Sequence, residues 1–153
     1  MASFVYTPAK RDLLKGDLDL DEAGLKVWAM LVMTNTTADT EKDLEFVGLI
    51  GTLDEYDGAA YVRKACNTQL VTEVDGSDLA KWSFDAIVWT GLGAGTRQAA
   101  GVVLYVDADA DGLAADDATN RLIAYIDTGG FPFSGDGTNV TLTPHANGVL
   151  AAT

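Results

Sequence analysis

Two apolar runs separated by an acidic loop constrain the fold of this chain more than any other feature. Residues 99–107 and 121–127 are rich in Val, Leu, Ile and Tyr. Three alternating aspartates and a glycine follow the first run: Asp107, Asp109, Asp111 and Gly112. Runs of this length and composition are typical of β-strands, and Asp-Gly is typical of a turn. The sequence therefore predicts a long hairpin within a β-rich domain.

Glycine-rich turns punctuate the rest of the chain. The 153 residues include 16 glycines and 3 prolines, and glycine supplies the positive φ angles that tight turns need. Strands are predicted between the turns, at residues 24–33, 61–66, 69–73, 79–84, 87–90, 99–107, 121–127, 140–143 and 148–151. This pattern predicts a mainly β fold, a single-domain antiparallel β-sandwich or jelly-roll-like domain.

One or two short helices are expected beside the strands, the first near the N-terminus. Residues 8–16 begin with Pro8 after Thr7 as a candidate N-cap, and Gly16 is placed to end the helix. Leu13 and Leu14 are expected to dock this helix onto the core. Residues 41–49 have apolar side chains at helical spacing, which favours a second short helix or an irregular helical segment.

Two apolar segments are candidates for contact with other proteins. The first is an N-terminal contact arm over residues 1–7, followed by a single β-rich domain over residues 8–153. An apolar chain end has little reason to stay free in water, so the arm is expected to lie along a partner. The second lies in a glycine-rich loop, where docking on a partner and folding back on the core are both open. The candidate contact residues are Phe4, Val5, Tyr6, Phe131, Pro132 and Phe133.

The acidic loop is a candidate calcium site. Alternating carboxylates before a glycine match the opening of an EF-hand-type loop. The match fails at the twelfth position, where Ala118 replaces the expected glutamate, and the preceding run is a strand rather than a helix. A solvated acidic turn is the alternative. Calcium is the one cofactor considered, and its candidate ligands are Asp107, Asp109, Asp111, Asp116 and Asp117.

The net charge and the small number of reactive side chains exclude several classes of function. With 23 acidic and 10 basic residues the net charge is −13, which repels phosphate backbones and argues against nucleic-acid binding. One cysteine, Cys66, and one histidine, His145, exclude a Cys/His zinc site within one subunit. No nucleophile motif is present, so no catalytic residue and no enzyme activity are expected. The longest apolar run, residues 27–33, is too short to cross a membrane, and no signal peptide is visible.

Several segments, in order along the chain, resemble a family of small virion structural proteins from tailed bacteriophages. These segments are residues 9–20 followed by 25–32, residues 61–64, residues 101–107 with 121–127, and residues 141–148. In that family a short helix ending in Gly-Asp leads into the first strand. The acidic insertion after Asp107 departs from the family's shorter connection, so the resemblance implies no metal site there.

The resemblance implies a non-enzymatic capsid decoration or cement protein. Such a protein is made in the host cytoplasm and then resides on the capsid surface, bound to the major capsid protein or other virion subunits. A homo-oligomer, either a dimer or a trimer, is expected. The alternatives are a tail or tail-tip structural component, and a calcium-dependent adhesion or carbohydrate-binding module that uses residues 107–117.

Overall fold

The computed structural model describes residues 3–22, 24–107, 109–146 and 148–152, without the side chains of Ser77 and Ala152. Its helix and strands are β1 (Phe4–Val5), α1 (Thr7–Lys15), β2 (Val27–Met33), β3 (Lys64–Ala65), β4 (Leu70–Val74), β5 (Leu79–Ser83), β6 (Ile87–Trp89), β7 (Ala99–Val106), β8 (Arg121–Ile126), β9 (Val140–Leu142) and β10 (Leu150–Ala152). Short 3₁₀ turns occur at Val47–Leu49, Asp75–Ser77 and Ala114–Asp116.

Over these residues the fold is mainly β, with three antiparallel sheets and a single α-helix near the N-terminus. The largest sheet has the strand order β1-β8-β7-β2-β3, the second has the order β10-β5-β4, and β6 pairs with β9. This architecture is a small β-sandwich domain and confirms the predicted fold class. The predicted hairpin is also confirmed, because β7 and β8 are antiparallel neighbours joined through the acidic loop.

The central strands of the largest sheet form the core. Six of the seven residues of β2 are buried, and Trp28 is half-buried. In β7, residues 101–105 are all buried as well. A strand covered on both faces loses the alternation of polar and apolar residues, which is why β2 and β7 are continuous apolar runs.

The N-terminal segment belongs to the domain, which corrects the predicted contact arm. β1 pairs with β8, with Phe4 opposite Tyr125 and Val5 opposite Ala124. Tyr6 is fully buried, and its hydroxyl donates a hydrogen bond of 2.9 Å to the carbonyl of Ala38. The apolar residues at positions 4–6 are therefore covered by their own chain rather than by a partner. Residues 1 and 2 lie outside the described residues.

Helix α1 ends as predicted but begins one residue earlier. Gly16 ends it with a φ of 77° and donates its N–H to the carbonyl of Leu13 at 3.3 Å, a left-handed conformation that glycine adopts without strain. Tyr6, not Thr7, occupies the N-cap position. Thr7 is already helical, and its backbone N–H donates to the carbonyl of Lys42 at 2.9 Å.

Of the two alternatives predicted for residues 41–49, the short α-helix does not form. Only a 3₁₀ turn at Val47–Leu49 forms there. The backbone on either side pairs with the start of β8: Val47 donates to the carbonyl of Asn120, and Leu122 donates to the carbonyl of Glu45, both at 2.9 Å. These hydrogen bonds to distant residues replace those that a helix would make within itself.

Candidate functional site

Asp107 organises the acidic loop from inside. It is 3% exposed, and its carboxylate accepts three backbone hydrogen bonds. The donors are the N–H groups of Asp109 and Ala110, both at 3.0 Å, and of Gly112 at 2.6 Å. A carboxylate in this arrangement holds a turn in shape and satisfies amides that would otherwise be buried without partners. Both oxygens of Asp107 therefore accept hydrogen bonds from the backbone of the loop itself.

Gly112 lets the loop lie directly on the sheet. Its φ is 73°, and a Cβ atom added there would stand 2.3 Å from Cζ3 of the Trp28 ring. Any other residue would meet both a strained backbone and an aromatic ring. The Asp-Gly pair that suggested a calcium loop is thus explained by a turn that closes over Trp28.

Asp117 is part of a buried ion-pair network. The guanidinium of Arg63, which is 4% exposed, donates to both oxygens of Asp117, at 2.6 and 2.8 Å. It also donates to both oxygens of Glu55, at 2.9 and 2.7 Å, and to the hydroxyl of Tyr105 at 3.3 Å. Burial alone would lower the pKa of Arg63, but the hydrogen bonds to Asp117 and Glu55 raise it.

Sequence reasoning missed this network. Glu55 and Asp117 lie 8 and 54 residues from Arg63 along the chain, so no local spacing connects them. The available signal was an arginine within a predicted strand, preceded by Tyr61 and Val62. Such a residue needs charged partners when it is buried, but the sequence does not identify them.

The five candidate calcium ligands lie near one another but do not form a metal-binding cluster. In the described parts of the chain, no group of three or more His, Cys, Asp or Glu side chains is arranged to hold a metal ion. Asp107 serves the loop backbone, Asp117 pairs with Arg63, and Asp109 and Asp111 are exposed. Partial burial, together with Asp109 and Asp111, raises the pKa of Asp116. The calcium site stays a prediction, and in this structure amide and guanidinium donors engage the oxygens of two of its five candidate ligands, Asp107 and Asp117.

The aromatic loop segment folds back on the core. The rings of Phe131 and Phe133 lie 5.3 Å apart between centroids, and both are half-buried against core residues. Phe133 also exchanges two backbone hydrogen bonds with Ala99, at 2.8 and 3.0 Å. The sequence left open whether this segment docks on a partner or folds back on the core. In the structure both rings pack against the core, while Pro132 is exposed.

Cys66 and His145 occupy separate places. Cys66 is 3% exposed, and burial raises the pKa of its thiol well above the ordinary value. It borders a cavity of about 260 Å³ beside Trp28 and Gln69. His145 is exposed and lines a different cleft of about 400 Å³ with Thr128 and Thr141. The thiol is thus a small buried apolar group.

An apolar groove lies beside α1, and we call it the α1 groove. It has a volume of about 550 Å³ and is lined by one side of α1, the connector 18–20 and the sheet formed by β4, β5 and β10. Most of its lining is apolar, and the residues that define it are Leu13, Leu14, Leu18, Val71, Trp82 and Leu150.

Leu14 is the main departure from expectation at this groove. It was expected to dock α1 onto the core, yet it is 89% exposed at the groove margin, while Leu13 is half-buried. The helix is held instead by Ala9 and Asp12, its buried residues. Helical periodicity identified the apolar side of α1. It did not show how much of that side the rest of the domain covers.

Comparison of the chain with protein-family models, with curated proteins and with solved structures found no match. No helix in the described ranges is long and apolar enough to cross a membrane. The chain's own geometry, with the α1 groove as its principal candidate surface, is therefore the basis for a functional proposal.

Proposed function

We propose that this chain is a non-enzymatic virion structural protein, a capsid decoration or cement protein. It binds the outer surface of a phage head and stabilises the head through protein–protein contacts. One observation carries the proposal: the candidate ligand and nucleophile side chains Asp107, Asp117 and Cys66 are used within the fold, while apolar side chains stand on the surface around the α1 groove.

The exposed apolar side chains favour a protein partner. Leu14 is 89% exposed, Leu70 50% and Val71 41%, and Leu14 and Val71 line the same groove. Apolar groups grouped in this way on a protein surface are typical of interaction sites, whereas single exposed apolar residues are not. Function then lies in surfaces rather than in an enclosed pocket.

The arrangement of the phage-like segments also supports the proposal. The segment with the helix and first long strand contributes α1 and β2, and the second contributes β7 and β8. In the structure β2 pairs with β7, β7 pairs with β8, and α1 packs on β8. The two longest segments that carry the resemblance therefore pack against each other in the structure.

The negative charge suits attachment to a larger shell. A net charge of −13 keeps the free protein soluble and favours encounter with basic patches on another protein. A decoration protein needs both properties, because it accumulates as a free subunit before it binds.

The test is the copy number of this chain in purified particles of the phage that encodes it, measured by quantitative mass spectrometry against the most abundant shell subunit. A ratio near one, or a simple fraction of it, is expected for a decoration protein. A handful of copies per particle would place the chain in the tail or at a vertex and overturn the decoration role. Absence from particles would overturn the virion proposal altogether.

A second readout concerns the proposed stabilising role. Particles assembled without the chain are expected to release DNA at a lower temperature than complete particles, and added purified chain is expected to restore the difference. Particles of equal thermal stability with and without the chain would contradict the cement role, even if the chain is present in high copy number.

A further inference from the structure

We infer that the α1 groove binds a second copy of this chain, in a symmetric dimer in which Leu14 of each copy enters the groove of the other. The inference rests on the proposal that the chain acts through surface contacts. It goes further by naming a second copy as the partner at this surface, so that the dimer contacts the phage head through surfaces outside the groove.

A protruding group and a recess lie side by side on the same surface. Leu14, 89% exposed, projects from α1 at the margin of the groove. The recess beside it is lined by apolar residues that include Leu18, Leu20 and Trp82. A two-fold dimer needs one patch that is complementary to itself, so that each copy supplies both the protruding group and the recess. This patch meets that requirement.

The charged residues of the groove are also complementary to each other. Lys10, Asp19 and Lys81 line it. Lys81 donates to the carbonyl of Ala146 at 2.7 Å, whereas Lys10 and Asp19 form no ion pair within the described part of the chain. A two-fold axis through the patch allows Lys10 of one copy to face Asp19 of the other, and the reverse. A partner of one charge sign would meet one of these two residues unfavourably, whereas a second copy satisfies both.

The location fits the overall charge of the chain. Two copies with a net charge of −13 each repel one another, so a self-contact needs a region that is not acidic. Helix α1 is such a region: its nine residues include Lys10, Arg11 and Lys15 against the single acidic residue Asp12. Asp12 is itself buried and paired with Arg11 and Arg121.

The sheet edges beside the groove extend the contact. β4 and β10 are the outer strands of their three-stranded sheet, and Val71 and Leu150 on these strands line the groove. A dimer interface of standard size buries about 800 Å² of each partner. Since the described chain exposes 7643 Å², this is about a tenth of its surface, so the proposed contact needs the outer face of α1 and the adjoining strand edges as well as the groove.

The first experiment measures the oligomeric state of the purified full-length chain by sedimentation equilibrium over a wide range of concentration. A monomer–dimer equilibrium is expected, and Leu14→Glu is expected to weaken dimerisation by at least about tenfold, a change of about 1.4 kcal/mol. Leu113→Glu is the matched control, because Leu113 is 57% exposed and does not line the groove. It adds the same charge and is expected to leave dimerisation unchanged. Circular dichroism melting of both variants verifies that each is folded.

The second experiment reverses the charges. Lys10→Glu alone and Asp19→Lys alone are each expected to weaken the dimer, because each places like charges opposite one another. The double variant is expected to recover dimerisation, since the pair is restored with its signs exchanged. Weakening in both single variants without recovery in the double variant would overturn the two-fold arrangement.

The inference can fail separately from the proposed function. A chain that is monomeric at every concentration, or a dimer indifferent to Leu14→Glu, overturns the groove as a self-contact. Such a chain could still be found on particles in high copy number, which would leave the decoration role standing. Conversely, a dimer that depends on Leu14 but is absent from particles supports the groove contact and removes the virion proposal.

Discussion

Arg63 places a full positive charge inside the domain, with 4% of its side chain exposed. Removing such a charge leaves its buried partners, Glu55 and Asp117, without compensation, and that loss is larger than the contribution of the pair itself. Comparing the stability lost on replacing Arg63 with that lost on replacing an exposed lysine therefore tests whether the buried network exists.

Arg63→Met is expected to lower the free energy of unfolding by about 3–5 kcal/mol, because two carboxylates that are mostly buried lose their donor. Urea denaturation monitored by tryptophan fluorescence measures the change. Lys26→Met is the matched control, since Lys26 is exposed, and its effect is expected to stay within about 0.5 kcal/mol. Equal effects of the two substitutions would contradict the buried network.

Asp12 gives the fold an acid-sensitive contact. The hydrogen bond from Arg11 lowers its pKa, burial opposes this, and the charge of Arg121 lowers it further. A carboxyl group with a depressed pKa contributes stability that is complete above its unfolded pKa, about 3.9, and is lost as the pH falls through the folded pKa. Protonation of Asp12 therefore removes a contact between α1 and β8.

Asp12→Asn is expected to be less stable than the natural chain at pH 7, with a difference that narrows as the pH falls below about 4. Urea unfolding at a series of pH values measures it. Asp17→Asn is the comparison, because Asp17 is exposed, and its curve is expected to follow that of the natural chain. A difference for Asp12→Asn that stays constant down to low pH would contradict the ion-pair role.

The loop between β7 and β8 shows how an element is closed by one side chain. Asp107 accepts three backbone hydrogen bonds while Asp111 accepts one, from Leu113 at 2.8 Å. Asp107→Ala is expected to cost about 2–3 kcal/mol of unfolding free energy, because one buried and two partly buried amides lose a charged acceptor. The exposed control Asp111→Ala is expected to cost less than half of that. Chemical denaturation of both variants measures the two losses of unfolding free energy. A larger loss for Asp111→Ala than for Asp107→Ala would contradict this account of the turn.

The N-terminal strand is the element whose role the structure changed most. Tyr6 follows β1 and is fully buried, so Tyr6→Ala is expected to lower the stability of the isolated chain by about 3–5 kcal/mol. Thermal and urea unfolding of the purified protein measure it, with Leu113→Ala as an exposed control. A contact arm without a place in the domain would give the opposite result, with stability unchanged.

At the scale of the whole molecule, charge imbalance works against compactness. A net charge of −13 in a chain of 153 residues means that folding concentrates like charges. Dissolved salt screens these repulsions over a distance of about 10 Å at 0.1 M. The close hydrogen-bonded arginine pairs, such as Arg63 with Asp117, are screened less because they are buried.

The melting temperature is therefore expected to rise with sodium chloride concentration at neutral pH. Differential scanning calorimetry at low and at high salt measures the change, with sucrose at matched osmolarity as a control for general solute effects. A melting temperature that falls with salt would show that favourable ion pairs outweigh the net repulsion.

The strands and turns of this chain could be predicted because their signals are local. β7, β8 and β2 are continuous apolar runs long enough to identify themselves, and Gly16 and Gly112 occupy turns that require positive φ. In contrast, β1 consists of two residues, too short for any periodic pattern, and it exists only because β8 offers an open edge. Residues 41–49 have helical spacing, yet their backbone pairs with β8 instead.

The candidate sites were harder to predict than the strands and turns, because they depend on contacts between residues distant in sequence. The sequence by itself determined the β-rich class, the turn at Asp107 and the acidic character of the surface, because composition and nearest neighbours decide these properties. Only the tertiary structure decided that Asp117 faces Arg63, and that Tyr6 is covered while Leu14 is left on the surface. The physical reason is that partners distant in sequence compete for the same side chain, and only the folded arrangement determines which of them reaches it.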